Sequence, residues 1–543
     1  MYGLMQDDLP LLVSSLLEYA EKFHAEQEIV TRSLEGPIHR YSYADAASRS
    51  KKLAKALLAL DVKLGDRIGT LAWNTYRHFE AWYGITGIGA VTHTLNPRLF
   101  PEQLAYIINH AENEYVLLDP VFSELMENIQ GELTTVKGFV FLCDREHMPD
   151  TTLPNALCYE DLLAAQDDDF AWPSFDEKTA AAMCYTSGTT GNPKGVLYSN
   201  RSCVLHAMGA SMPDAIGTGS ASVMMPVVPM FHANGWGIPH FAPMTGTKLV
   251  LPGREMDGES IYELLDSEKV SLTAAVPTVW LMLLGYLQET GKDLPHLKKV
   301  VIGGSAAPRS MIETFEQKYG VLVSHLWGMT EMNPLGTTGA PKAGMADMPY
   351  EDQLDIKIKQ GRGIYGVQLK ITDDDNNDLP WDGETSGHLK VKGPWIVAEY
   401  FKGEGGEILD ENGFFDTGDI ANIDGRGYVQ LTDRAKDVIK SGGEWISSID
   451  LENAAVGHPQ IAEAAVIGVY HPKWDERPLL VCVPAAGASP DGGEILEYLK
   501  DKVAKWWLPD DVVFVDELPH TGTGKLLKTK LREDFKDYKL PTA

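Results

Sequence analysis

The sequence predicts an α/β protein. It has a large N-terminal domain of parallel, helix-covered sheets with a β-rich subdomain, and a smaller α/β domain at its C-terminal end. Three observations carry this expectation. A chain of 543 residues is too long for one ordinary hydrophobic core, so at least two domains follow. From residue 67 onward, short apolar strands alternate with amphipathic helices, the pattern of parallel sheets covered on both faces. After about residue 355, glycine-punctuated strands replace that rhythm, and a second α/β stretch begins near residue 434.

Each element follows from its local pattern. Residues 11–23 and 43–60 carry apolar positions at helical spacing. The strand 67–73 (RIGTLAW) precedes a helix around 78–88 and a strand over 89–95 (GAVTHTL). Further strands are expected at 115–118, 138–142, 222–228, 248–250, 271–275 and 299–302. The β-rich stretch reads as IKIKQ from Ile356, VQLKITDDD, HLKVKG and ANIDGRGYVQLTD. Within it, Gly361–Gly366 (GRGIYG) fits G-x-G-x-x-G. A dinucleotide site needs a helix after that motif, whereas a strand-like VQLKI follows, so a turn is expected. The remainder reads as a helix at 449–455, strands AEAAVIGVY and LLVCVP, a helix at 495–505 and a strand VVFVDEL. The boundaries expected are 1–433 for the large domain, with the β-rich part at about 355–433, and 434–543 for the small one.

Composition narrows the function classes. Apolar residues make up 44% and charged residues 23%, as in a soluble globular enzyme. A net charge of −30 argues against nucleic acid as a partner, because phosphate neutralisation needs clustered Lys and Arg. The five cysteines (Cys143, Cys158, Cys184, Cys203, Cys482) form no C-x-x-C pair, so neither a disulfide framework nor a zinc site is indicated. No basic-then-apolar leader opens the chain, and no run approaches the length of a transmembrane segment. A cytoplasmic location is the expectation.

One segment points to chemistry. Tyr185–Val196 (YTSGTTGNPKGV) sets Thr186, Ser187, Thr189 and Thr190 among Gly188, Gly191 and Gly195, then adds Lys194. Glycines let backbone N–H groups approach an anion, hydroxyls add donors, and lysine adds a mobile charge. It is not a P-loop: Pro193 and Gly195 stand where that motif needs Gly and Ser or Thr. A Ser/Thr/Gly surface linker is the bland alternative, and the Pro-Lys-Gly order speaks against it.

Four more motifs follow in order: His325–Glu331 (HLWGMTE), Phe415–Asp419 (FDTGD), Asp433–Glu444 (DRAKDVIKSGGE) and Gly522–Lys525 (GTGK). With the first segment, the chain resembles the adenylate-forming superfamily of acyl-CoA synthetases, peptide-synthetase adenylation domains and beetle luciferases along nearly its whole length. That resemblance implies ATP, Mg²⁺ and CoA as cofactor and co-substrates. It also implies a small carboxylate as partner and a mobile small domain; a homodimer is compatible with it.

The resemblance assigns roles residue by residue. Thr186, Ser187, Gly188, Thr189, Thr190, Gly191 and Lys194 match the loop holding the β- and γ-phosphates. Trp327 matches the adenine-stacking aromatic, next to Gly328 and Met329 of the same motif. Thr330 matches the α-phosphate donor and Glu331 the Mg²⁺ ligand, with Thr186 as a second metal contact. Gly303, Gly304 and Ser305 match the loop beside adenine and the acyl carboxylate. Asp419 matches the acid on the ribose hydroxyls, with Arg434 beside it, while Asp416 caps its turn. Lys525 matches the lysine that bridges carboxylate and α-phosphate, and Lys436 the hinge. Lys440, Gly442, Gly443, Glu444 and Trp445 match the segment that admits CoA. His232, Trp236 and Pro334 match the acyl pocket, with Pro226, Val227, Met230 and Leu335 completing an apolar wall. No Lys or Arg in those segments offers a counter-ion, which favours a neutral aliphatic tail.

The implied activity is an ATP-dependent acid–CoA ligase that works through acyl-AMP. Within the superfamily the chain is most similar to the fatty-acyl-CoA synthetase branch, and there to bacterial 3-methylmercaptopropionate–CoA ligases. The implied substrates are that acid or a short- to medium-chain aliphatic acid, with medium- or long-chain fatty acids as the alternative. A luciferase-like oxygenase, a carrier-protein loader and a non-catalytic nucleotide-binding regulator are the competing readings.

Overall fold

A computed structural model describes residues 1–543 except Tyr2, Asp7, 187–191, Lys436, Gly442, Gly443, 521–525 and the side chains of Glu444 and Trp445. Two large sheets and two smaller ones organise the chain. The nine-stranded sheet runs in the order Arg362–Gly363, Leu335–Thr338, Leu322–Gly328, Lys299–Ile302, Leu272–Ala275, Val223–Pro226, Lys248–Leu251, Glu28–Arg32, Ile38–Ser42. Its centre, from Leu322–Gly328 to Glu28–Arg32, is parallel, and both edges are antiparallel. The seven-stranded sheet runs Ala156–Cys158, Gly138–Phe141, Asn113–Leu118, Arg67–Leu71, Val91–Thr94, Ala180–Tyr185, Gly195–Ser199. Here only the last pair is antiparallel.

The central strands are apolar on both faces because helices cover both. The helix Tyr43–Ala59 starts at a capping box between Ser42 and Asp45, and Tyr76–Thr86 starts where the Thr75 side chain accepts from His78 N–H. Buried hydroxyls tie these helices across the sheets: Tyr83 donates to the Pro239 carbonyl and Tyr43 to that of Thr247, each at 2.6 Å. One hydrophobic cluster joins Ala181 and Val196, Leu249 and Leu272, and Leu389 and Val391. Three sheets therefore share one core, and the cavity described below opens where they meet.

The β-rich part is a four-stranded antiparallel sheet, Gln368–Thr372, Gly387–Lys392, Phe415–Ile423 and Val429–Arg434. Gly361–Gly366 leads into the first of these strands and no helix follows it. IKIKQ is not a strand, however. Residues Tyr350–Lys357 form a helix, and Tyr350, Leu354 and Ile358 pack against the cluster around Phe315. Their four-residue spacing prevails over the two-residue alternation of Ile356 and Ile358.

The C-terminal sheet starts at Ile439–Ser441 and includes Glu444–Ile446, Ile461–His471, Asp475–Pro484 and the parallel strand Asp511–Phe514. Its hydrophobic clusters draw only on residues from Ile439 onward. The join to the rest of the chain is polar. Asp433, nearly fully buried, accepts from Ser448 N–H at 2.7 Å, at the start of the helix Ser448–Val456. A carboxylate suits that end of a helix. Lys528 Nζ lies 2.7 Å from Glu452 of the same helix and also donates to Ser448 Oγ. Burial disfavours the Lys528 charge, but Glu452 and Asp433 more than offset it, so its pKa is raised.

Asp119 illustrates how a buried acid ties together the segments that follow two neighbouring strands. It follows the strand Asn113–Leu118, is 1% exposed, and accepts from Trp73 N–H at 2.7 Å. Burial pushes its carboxyl up to about 7. The folded state thus holds this proton more tightly than an unfolded chain, and the acid's contribution to stability declines as pH rises from about 4 to about 7. Asp119→Asn keeps the acceptor without the charge. Urea titrations should show it more stable than the parent at pH 8, with the difference shrinking as pH falls toward 4; a difference that does not change with pH would refute this.

Candidate active site

The strand Ala180–Tyr185 turns back into Gly195–Ser199, and Thr186 and Lys194 form the neck of that turn. Thr186 N–H donates to the Lys194 carbonyl at 2.9 Å, and Lys194 N–H donates to Thr186 Oγ1 at 3.1 Å. Lys194 Nζ stands 4.9 Å from the centre of the Tyr400 ring. Tyr400 in turn donates to Glu331 Oε1 at 2.8 Å. Burial, with Glu331 beside it, pushes the Tyr400 hydroxyl pKa up, so it stays a donor. One tyrosine thus links the loop lysine to the buried acid.

Glu331 sits on the turn after the strand Leu322–Gly328. Its carbonyl accepts from Val397 N–H, and that of Thr330 accepts from Tyr198 OH at 2.6 Å. Gly328 is required where it stands: a Cβ there would lie 2.0 Å from the Pro334 carbonyl oxygen. That carbonyl accepts from Met329 N–H at 3.0 Å, closing the turn. His325 is a structural member of the motif; burial lowers its pKa to about 4, and Nδ1 lies 3.1 Å from the Ile358 carbonyl.

Asp419 is the centre of the next constellation. Its Oδ2 accepts from Trp327 Nε1 at 3.0 Å, and its Oδ1 pairs with Arg434 Nε at 2.7 Å. Strand register sets Asp419 directly opposite Arg434. Asp416 accepts from Gly418 N–H at 2.9 Å, the turn-capping role its position suggested.

A cavity of about 1040 Å³ gathers these groups. Thr186, Lys194, Trp327, Gly328, Met329, Thr330, Glu331, Gly303, Gly304, Arg434, His232, Trp236 and Pro334 all line it. Asp419 is buried and outside the lining, although its chain neighbours Thr417 and Gly418 belong to it. Ser305 is exposed and outside the lining. From the C-terminal part, His520 and Leu526–Lys530 face the cavity, whereas Lys440 sits on the strand Ile439–Ser441 away from it. Glu444 and Trp445 occupy the adjoining strand Glu444–Ile446. Ser187, Gly188, Thr189, Thr190, Gly191, Lys436, Gly442, Gly443 and Lys525 fall outside the described residues. The residues that bracket Lys525, His520 and Leu526, pair with each other as an isolated bridge.

The apolar wall departs from expectation. Leu335 lines the cavity, but Pro226, Val227 and Met230 are buried in the core behind it, and Ile216, Phe231 and Ala233 take their places. The strand Val223–Pro226 lies inside the parallel sheet, so its side chains are consumed by packing. Residues 233–237 are all left-handed, with φ of 42°, 55°, 58°, 57° and 74°. That run sets the Trp236 ring against Gly303, where a Cβ would come within 3.0 Å of it. The reading of the segments around 226–236 and 334–335 as free of cations stands. Arg98 nevertheless lines the same cavity from another loop. Arg98 and Tyr400 were not anticipated. Tyr400 belongs to no recognisable motif, while Arg98 follows the carboxyl end of the parallel strand Val91–Thr94, where ligand loops collect in open α/β sheets.

Residues 17–401 match the AMP-binding enzyme family, and residues 450–525 match the AMP-binding enzyme C-terminal domain. The chain belongs to the AMP-binding enzyme family. It is 51% identical to the 3-methylmercaptopropionyl-CoA ligase of Ruegeria lacuscaerulensis, over 97% of this chain and 98% of that one. It is 47% identical to the medium-chain-fatty-acid–CoA ligase of Ectopseudomonas oleovorans, over 97% and 96%. Among solved structures it resembles ATP-bound MatB from Rhodopseudomonas palustris, with a TM-score of 0.81, 25% identity, and 97% and 100% of the two chains covered. As a member of the AMP-binding enzymes it is an AMP-forming acyl-CoA ligase with a two-domain layout. No helix among the described residues is long and apolar enough to cross a membrane.

The Trp236–Gly303 contact makes the expected acyl-pocket role of Trp236 testable. The Trp236 ring is buried, so it has little room to retreat when Gly303→Ala adds a methyl. Overpacking of this kind costs about 1–3 kcal/mol. The KM for the carboxylate should rise about tenfold or more while the KM for ATP stays within about twofold. An equal rise for both would show that the added methyl disturbs the adenine side of this loop as much as the side facing Trp236.

Proposed function

We propose that this enzyme joins 3-methylmercaptopropionate, or a short- to medium-chain aliphatic acid, to CoA through an acyl-AMP. The observation that carries the reading is a single cavity lined by Trp327, Arg434, the Thr186–Lys194 neck and the apolar Trp236 wall, with Asp419 buried beside it and bonded to both Trp327 and Arg434. The similarity to the two CoA ligases supports the substrate class.

In the first step a carboxylate oxygen attacks the α-phosphorus of ATP, the bond to the β-phosphate oxygen breaks, and pyrophosphate leaves. Both reactants are anionic, so the site must offset repulsion and hold them in line. Trp327 offers a flat face to adenine, and Asp419 offers carboxylate lone pairs to the ribose hydroxyls. Ser187, Gly188, Thr189, Thr190 and Lys194 hold the departing phosphates, and Thr330 donates to the α-phosphate. Lys525 neutralises the charge that builds there.

Glu331 and Thr186 would hold Mg²⁺. Their hard oxygen donors suit that ion, and Tyr400 orients the Glu331 carboxylate toward the cavity. Bound there, magnesium would screen the phosphate charge.

In the second step the CoA sulfur attacks the acyl carbon and AMP leaves. The small domain begins at residue 434 and turns about Lys436, exchanging Lys525 for the segment Lys440–Trp445. The polar join at Asp433 supports this division, because hydrogen bonds re-form more readily than a shared hydrophobic core. The Trp236–Gly303 contact, which closes the acyl wall, favours short acids over long-chain fatty acids.

Two measurements test the proposal. A panel of short, medium, long and thioether carboxylates, assayed for AMP release, should give the highest kcat/KM for thioether or short to medium acids; preference for long chains would overturn the substrate assignment. Lys525→Ala should lower ATP–pyrophosphate exchange by at least about a hundredfold while leaving acyl transfer from preformed acyl-AMP largely intact. Exchange that survives the substitution would remove Lys525 from its role.

A further inference from the structure

Arg98 stands out among the cations of the cavity. Its loop links the strand Val91–Thr94 to the helix Pro101–His110 and is held by an Asx turn: Arg98 N–H donates to Asn96 Oδ1 at 3.0 Å. Leu99 N–H donates to the Asn96 carbonyl at 3.2 Å, and Leu95 anchors the loop in the core. Arg98 is exposed and yet lines the cavity, which places it at the mouth. Its guanidinium carbon is 5.9 Å from the centre of the Trp73 ring, and Nη2 lies 4.0 Å from Met256 Sδ. Trp73 packs edge-on against Phe231 at 5.6 Å, and Phe231 precedes His232. A continuous path runs from Arg98 across two aromatic rings to the acyl wall.

Among the described residues Arg98 has no carboxylate partner. In a chain of net charge −30, every other arginine except Arg426 sits on one. The other cavity cations are engaged as well. Arg434 is on Asp419, Lys528 on Glu452 and Lys530 on Asp534, while Lys194 stands over Tyr400 on the phosphate side. With acids this abundant, an arginine held at a cavity mouth without one keeps its donors for a ligand. A planar guanidinium is the side chain best matched to phosphate.

The reaction says which phosphate. ATP is assigned above to Lys194, Trp327 and Asp419, whereas Arg98 stands against Trp73 and Met256. The substrate carboxylate belongs at the reacting centre, and the acyl tail is neutral. CoA alone must send a neutral arm past Trp73 and Phe231 to the acyl carbon while its phosphates stay outside. We propose that Arg98 binds a phosphate of CoA at the entrance through which the pantetheine arm reaches the acyl carbon. This rests on the acid–CoA ligase reading above, and extends it to a residue that no motif marks.

The test separates the half-reactions in the full-length enzyme. Arg98→Gln and Arg98→Lys are compared with the parent in ATP–pyrophosphate exchange, and in acyl transfer from preformed acyl-AMP to CoA, dephospho-CoA and pantetheine. A charge-assisted hydrogen bond to phosphate is worth about tenfold to a hundredfold in affinity. Arg98→Gln should therefore raise the KM for CoA at least about tenfold with kcat little changed. Exchange and the pantetheine reaction should stay unaltered, and Arg98→Lys should recover part of the loss. A rise seen with CoA and dephospho-CoA alike assigns the diphosphate, whereas a rise with CoA alone assigns the 3′-phosphate. The proposal fails if CoA and pantetheine suffer equally, if no KM changes, or if exchange falls, which would give Arg98 to ATP or the carboxylate. A parent enzyme that forms acyl-AMP but never transfers it to CoA would instead overturn the ligase reading itself.

Discussion

The buried carboxylate of Asp419 is the constraint around which the site is assembled. Removing a charge from water costs several kcal/mol unless it is paired and hydrogen-bonded. Asp419 meets that demand from two directions, with Arg434 across the strand pair and Trp327 from the nine-stranded sheet. The β-rich sheet therefore cannot slide along the strand Leu322–Gly328 without stranding the acid. Trp327 is fixed by the same bond, and through the turn after it so are Thr330 and Glu331. The position of the strand edge, the orientation of an indole and the placing of a candidate metal ligand all follow from one ion pair.

Much of this was legible in the sequence, and the parts that were not share a cause. Apolar strands alternating with helices yielded the parallel sheets because burial on both faces leaves little else that such a sequence can do. Motifs identified Trp327, Glu331, Asp419 and Arg434, which the cavity and its wall bring together. IKIKQ misled because a helix and a strand can share a short run of alternating residues; the spacing of Tyr350 and Leu354 upstream decides it. Pro226, Val227 and Met230 misled because an apolar residue beside a pocket motif can face either the pocket or the core, and only the sheet distinguishes them. Tyr400 lies sixty-nine positions from the acid it orients. No local pattern announces a contact of that range.

Charge is distributed unevenly in a way that composition conceals. The chain as a whole is strongly acidic, yet the cavity is furnished with cations on several sides. Acidic surroundings consume most arginines in surface pairs worth little individually. A cation that escapes pairing is consequently more conspicuous here than in a neutral protein, and long-range repulsion makes local, geometrically exact donors the means of holding any phosphate. Affinity for polyanionic ligands in such a molecule should depend strongly on ionic strength, since salt screens the general repulsion faster than the close contacts.

The left-handed run at residues 233–237 bears on how this enzyme can change. Side-chain replacement explores shapes cheaply only where the backbone tolerates many residues. Five successive positive φ values restrict Ala233, Asn234 and Trp236 to conformations that β-branched residues resist, and a Cβ on Gly237 would come 2.6 Å from the His206 ring. Drift toward larger acids is therefore channelled to other residues that line the cavity, such as Ile216, Pro334 and Leu335. Divergent members built on this turn would be expected to differ in what faces the tryptophan far more than in the segment that carries it.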